Sequence, residues 1–161
     1  MARKRTSGTP ATLVLTAAGV AFELHRYAHD PRATSYGLEA AEALAVEPSR
    51  VFKTLLADLD GTLVVAIVPV ARSLDLKALA RVLGGRKAVM ADVAAAERAT
   101  GYVAGGISPL GQKKPHRTVL DESSLDHTTV FVSAGRRGLD VELAPADLVV
   151  TTEAITAPIG R

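Results

Sequence analysis

The sequence predicts an α+β, or mixed α/β, fold in which a mixed sheet, curled or barrel-like, surrounds a pocket and is itself surrounded by several short helices. Three observations carry this expectation. Strand-like runs come in pairs joined by tight turns, at Asp60-Gly61 and at Arg136-Arg137-Gly138. Four or five short amphipathic segments with capping residues lie between those pairs rather than alternating with single strands. The dinucleotide-binding G-x-G-x-x-G pattern and the Walker loop are both missing, which argues against a doubly wound nucleotide-binding sheet. At 161 residues the chain has the length of one domain with one core.

The elements follow in order. Thr9-Pro10 is an N-cap followed by proline at the first helical position, so a helix is expected over about 10–18, closed by Gly19. Val20, Phe22 and Leu24 alternate with polar residues and predict a half-buried strand over 20–27, ending before the Asp30-Pro31 turn. Thr34-Ser35 can cap a helix through Leu38, Ala41 and Leu44. Residues 51–57 and 62–70 read as the two strands of a hairpin. Ser73 is the expected cap of a helix over 74–83, stopped by Gly84-Gly85. A short strand at 87–90 precedes an alanine-rich helix that Asp92 caps and Thr100-Gly101 ends. Strands are expected at 117–120, 128–133 and 139–143, and Pro145 opens a last short helix.

Composition narrows the chemistry. The chain has no cysteine, so disulfides, thiolate metal sites and a cysteine nucleophile are excluded. Apolar residues are 48% and charged residues 22%, an ordinary soluble balance. No stretch approaches the length of a membrane span, so a cytoplasmic protein without membrane contact is expected. Residues 1–8, with three cations, read as a disordered basic tail, and residues 9–159 as the folded domain. The net charge is only +2, but cations cluster at 113–117 and 136–137, where they would allow a basic face.

The stretch Gly105-Gly106-Ile107-Ser108-Pro109-Leu110-Gly111-Gln112-Lys113-Lys114 is a loop whose glycine backbone can approach a ligand closely, with cations beside it. It suits an anionic or carbonyl-bearing group, or else is a tight surface turn with a solvated basic end. Lys53 shares a strand face with Val51 and Leu55, so it either snorkels to a rim or has a partner or a task. Ser133, Asp140 and Glu142 fall on strands that can share a sheet with it, and Tyr27 lies at another strand end. Asp140 could hold Lys53 or a ligand amine, and Ser133 could donate to a carbonyl or ribose hydroxyl. The histidines at 25, 29, 116 and 127 form no metal-binding pattern, and no metal or cofactor is expected.

Four separated motifs make the chain resemble the YbaK family of Cys-tRNA(Pro) deacylases. They are His25-Arg26-Tyr27-Ala28-His29-Asp30-Pro31, Val51-Phe52-Lys53-Thr54-Leu55, the segment from Gly101-Tyr102 to Lys113-Lys114, and Val132-Ser133-Ala134-Gly135 through Leu143. The resemblance implies that Lys53 is the essential lysine and that Tyr27, Gly105, Gly106, Ser133 and Asp140 line the pocket for the aminoacyl-adenosine end. It implies a trans-acting editing enzyme that removes cysteine from tRNA(Pro), the substrate's own thiol attacking its ester, with prolyl-tRNA synthetase as an implied partner. Lys113, Lys114, Arg117, Arg136 and Arg137 then become candidate phosphate contacts around the pocket mouth. A deacylase for alanine on the same fold, and a non-catalytic module that binds an RNA 3′ end or a nucleotide, are the alternatives.

Overall fold

A computed structural model describes residues 8–161, and the expected basic tail therefore lies, over residues 1–7, outside the described residues. The chain runs as helix α1 (Pro10–Ala17), strand β1 (Phe22–Arg26), α2 (Tyr36–Ala43), β2 (Phe52–Leu59), β3 (Thr62–Pro69), α3 (Leu76–Val82), β4 (Ala88–Met90), α4 (Val93–Thr100), β5 (Thr118–Asp121), β6 (Val130–Arg136), β7 (Leu139–Leu143), α5 (Pro145–Thr152) and β8 (Ile155–Ala157). Short 3-10 turns at Pro48–Arg50 and Glu122–Asp126 complete it. The α+β class is as expected. The strands, however, form two sheets, ordered β1-β7-β6 and β4-β2-β3-β5-β8, and among the described residues no ladder closes a barrel.

The five-stranded sheet is mixed. Strands β2 and β3 form the expected antiparallel hairpin, and β5 and β8 then add in parallel. Strand β3 is central and buried from Val64 to Pro69, which is why its sequence is an unbroken apolar run rather than an alternation. One face of this sheet packs under α3 through Ala57, Val64, Val68, Leu79 and Leu83. Its other face meets the three-stranded sheet across the main core, where Phe52, Leu56 and Ile67 pack with Val130, Val132, Val141 and Leu143. Helices α1 and α5 seal that core through Leu15 and Leu148. A single bridge between Val51 and Phe131 joins the edges of the two sheets.

Several boundaries moved for local reasons. Helix α3 starts at Leu76 because the carboxylate of Asp75 accepts from Ala78 N–H at 3.0 Å. Ser73 is engaged elsewhere, its backbone pairing both ways with Arg161. Helix α2 is capped by Ser35 as expected, but it buries Ala40 and Ala41 while Leu38 is 47% exposed. Strand β1 is an edge strand on which Phe22 packs against the main core as expected, whereas Leu24 is exposed and His25 half-buried. The reason is that β1 lies at the sheet edge, where the core-side face is left open at Leu24, while His25 lies on the opposite, polar face in register with Asp140.

Candidate active site

Each ladder of the three-stranded sheet sets polar side chains on the face away from the main core. In register across it lie His25 on β1, Asp140 on β7 and Ser133 on β6. Directly after Ser133 the β6–β7 register breaks in a bulge, with Gly135 at φ +112. A side chain at 135 would meet the Tyr102 ring at 2.8 Å, so the bulge requires glycine. The bulge turns the Gly135 N–H onto Ser133 Oγ at 3.1 Å. Ser133 thus accepts from the backbone and keeps its own O–H free to donate.

This polar face opens into a cavity of about 380 Å³. Tyr27, Lys53, Gly105, Ser133 and Asp140, drawn from four regions of the sequence, all line it. So do Thr54 and Tyr36, which the sequence did not single out, and an apolar wall that includes Val51, Phe52, Leu55 and Ile107. Thr54 Oγ1 is buried and has no hydrogen-bond partner among the described residues, a polar atom with spare capacity at the cavity wall. Its only sequence signal was its place beside Lys53 in an apolar strand.

Burial sets the electrostatics. Asp140 is 5% exposed, and burial pushes its carboxyl up from 3.8 to about 7, opposed only by the charge of His25. Burial likewise depresses the Lys53 ammonium, with no carboxylate counteracting it. Among the described residues no ion pair joins Lys53 to Asp140, so of the two roles offered for Asp140, holding Lys53 or holding a ligand amine, the first is not taken up here. Both groups face the cavity with unspent capacity for a ligand. Burial, and secondly the Asp140 charge, raise the Tyr27 phenol to about 12, which keeps it a proton donor at neutral pH.

The glycine loop is held by bonds of its own. Tyr102 Oη donates to Leu110 O at 2.7 Å, Ala104 N–H to Glu97 Oε2 at 2.7 Å, and Lys113 N–H to Thr100 O at 2.9 Å. Gly106 is off the cavity lining: its N–H is committed to Val103 O at 2.9 Å and its Cα packs against the backbone of Arg136. Gly105 lines the cavity, and among the described residues no hydrogen bond uses its N–H.

The candidate phosphate contacts separate. Lys114 and Arg117 line a second depression that shares no residue with the cavity, and Arg117 donates to Leu83 O at 2.7 Å. Lys113 is exposed at the far end of the loop. Only Arg136 and Arg137 pack against the loop segment that forms the cavity wall. Among the described residues the one group of metal-ligating type is Glu23, His25 and Glu142, of which two are already engaged: His25 Nε2 lies 2.9 Å from Glu142 Oε1, and Arg50 and Thr129 donate to Oε2.

The model of the aminoacyl-tRNA editing domain matches residues 29–150. The chain belongs to this family. An Enterococcus faecalis protein described as a candidate Cys-tRNA(Pro)/Cys-tRNA(Cys) deacylase, EbsC, is 42% identical over 120 residues, covering 74% of this chain and 73% of that protein. The uncharacterised YwhH of Bacillus subtilis is 32% identical over 110 residues, 68% of this chain and 70% of that one. A crystal structure described as a candidate trans-editing enzyme for prolyl tRNA synthetase superposes with a TM-score of 0.83 at 24% identity, over 94% of this chain and 95% of its own. At that identity the likeness establishes the fold. The editing-domain match begins at His29, so Tyr27 lies just outside it and is held at the cavity by its N–H bond to Gly138 O at 3.0 Å, directly after β1 pairs with β7. An aminoacyl-tRNA editing domain must hold an ester, a free amine and a ribose in one place. Among the described residues the cavity presents a partly buried lysine, a buried carboxyl, a hydroxyl free to donate and a backbone N–H without a partner.

Proposed function

We propose that this chain is a trans-acting deacylase that removes mischarged cysteine from tRNA(Pro). The observation that carries the reading is the convergence of Tyr27, Lys53, Gly105, Ser133 and Asp140 on one cavity whose buried carboxyl has no hydrogen-bond or ion-pair partner among the described residues. The 42% identity to the EbsC protein supports the choice of cysteine. The domain is read as residues 9–159, because α1 seals the core and the C-terminal strand β8 completes the larger sheet. The two sheets, joined at Val51 and Phe131, then act as one curled wall around the cavity.

In this reading the substrate thiol attacks its own ester carbonyl. A C–S bond forms, the C–O bond to the ribose breaks, the thiol proton ends on the leaving ribose oxygen, and cysteine departs as its thiolactone, which water opens to the free amino acid. No nucleophile of the protein is needed, which fits a chain without cysteine. Lys53 orients the ester and stabilises the oxyanion as charge develops, more strongly for being partly desolvated. Gly105 N–H and the Ser133 hydroxyl donate to the carbonyl or a ribose hydroxyl, and Tyr27 closes the polar side. Asp140 receives the amino group, whose positive charge favours the ionised carboxylate. Arg136 borders the mouth, with Lys113, Lys114 and Arg117 reserved for more distant phosphates of the acceptor stem. Such a small domain leaves selection of the tRNA body to a partner, prolyl-tRNA synthetase, in the cytoplasm.

A panel of aminoacyl-tRNA(Pro) carrying cysteine, S-methyl-cysteine, alanine and proline tests the proposal. Rapid release of cysteine alone is expected. Equal release of S-methyl-cysteine would remove the thiol step, release of alanine would reassign the amino acid, and tRNA binding with no ester lost would leave a non-catalytic module.

A further inference from the structure

Arg137 is exposed at the tip of the β6–β7 hairpin, where a surface arginine near a polyanion invites a phosphate role. Its bonds say otherwise. Nε donates to Ala104 O at 2.8 Å, and the guanidinium lies 5.1 Å from the centroid of the Tyr36 ring. Tyr36 is the first residue of α2, and its ring sits 5.8 Å from that of His29, which Glu39 holds through Nδ1 at 2.8 Å. Gly105 lies against both partners: a Cβ there would be 2.8 Å from Tyr36 Cδ1 and 2.9 Å from Arg137 Nε. Gly106 packs equally closely on the backbone of Arg136 and Arg137.

The geometry points to Arg137 as a positioning residue that locks the glycine wall of the cavity between the hairpin tip and α2. This rests on the reading of the cavity as the deacylation site. Residues 103–106 belong to no sheet ladder, and their own bonds are Gly106 N–H to Val103 O and Ala104 N–H to Glu97. Arg137 supplies the cross-link that sets how far the Gly105 N–H stands from the ester. A planar guanidinium can stack on Tyr36 and donate sideways to Ala104 at once. The lysine ammonium, a point charge without a flat face, cannot do both.

Arg137→Ala, Arg137→Lys and Arg137→Gln separate the two roles by hydrogen exchange of segment 103–106 and by deacylation kinetics over a range of salt. For a lock, Ala and Lys both speed exchange of the segment about tenfold and lower kcat on Cys-tRNA(Pro) about tenfold. KM and the salt dependence stay as in wild type, and Gln, whose amide can still reach Ala104 O, recovers part of the loss. Wild-type rates in Arg137→Lys, with a salt slope reduced by about one in Arg137→Ala, would make Arg137 a phosphate contact instead. Unchanged exchange in all three variants would overturn the lock even in a fully active enzyme. A wild-type protein that releases no amino acid would defeat the functional reading while the exchange data still decide the lock.

Discussion

Asparagine at position 140 keeps the size of the side chain but cannot ionise, so Asp140→Asn isolates what burying this carboxyl costs the fold. A displacement from 3.8 to about 7 corresponds to about 4 kcal/mol between the two protonation states. With only 5% of the residue exposed, little of that is screened by solvent. The native state holds this proton more tightly than the unfolded chain does. The stability it contributes is therefore complete below the unfolded value of 3.8 and is lost as pH rises through about 7. Relative to Asp140→Asn, the wild-type protein should lose about 4 kcal/mol of stability between about pH 4 and about pH 8. Urea unfolding of both proteins at a series of pH values measures the difference, since groups common to both cancel. Parallel stability curves across that range would refute the reasoning and return Asp140 to an ordinary carboxylate.

Other consequences follow from single contacts. Gly105→Ala places a Cβ 2.8 Å from the Tyr36 ring at a backbone φ of +86. Deacylation should fall tenfold or more, to order of magnitude, while the conformational strain costs only about 1–2 kcal/mol in a thermal melt. Asp121 is 2% exposed, and its Oδ1 accepts from Ile159 N–H at 2.9 Å and Gly160 N–H at 2.8 Å. Asp121→Ala should destabilise the fold by about 2 kcal/mol through the stranded donors, read as a lower melting temperature. Burial raises the Asp121 pKa, but the hydrogen bonds from Ser123, Gly160 and Ile159 outweigh it and hold the carboxyl low. Its stabilisation is thus present above the unfolded pKa and lost as pH falls through the folded one, opposite in sign to Asp140.

Local chemistry made much of the fold legible. Thr9-Pro10, Ser35 and Asp92 cap helices as their residue types require, and Asp60-Gly61 turns the hairpin between β2 and β3. What one sequence could not show was long-range. The parallel addition of β8 to β5 depends on pairing across more than 30 residues, and a three-residue strand leaves no periodic pattern. The split into two sheets is likewise a matter of which edges meet. At the site, Lys53 was visible as a cation in an apolar strand. Tyr36 and Thr54 were not, because a helix-starting tyrosine and a strand threonine are unremarkable until the cavity forms around them. Gly105 and Gly106 were not told apart for the same reason, since which of two adjacent glycine N–H groups is engaged depends on the turn closed by Val103 O.

Single-turnover release of cysteine from Cys-tRNA(Pro), compared between the wild-type protein and Lys53→Ala, tests the central claim most directly. Lys53 lines the cavity with its charge partly desolvated and no carboxylate neutralising it. Its removal should slow release about a hundredfold or more with the fold unchanged by circular dichroism. Release at the wild-type rate by Lys53→Ala would contradict the assignment of this cavity as the place where the ester is broken.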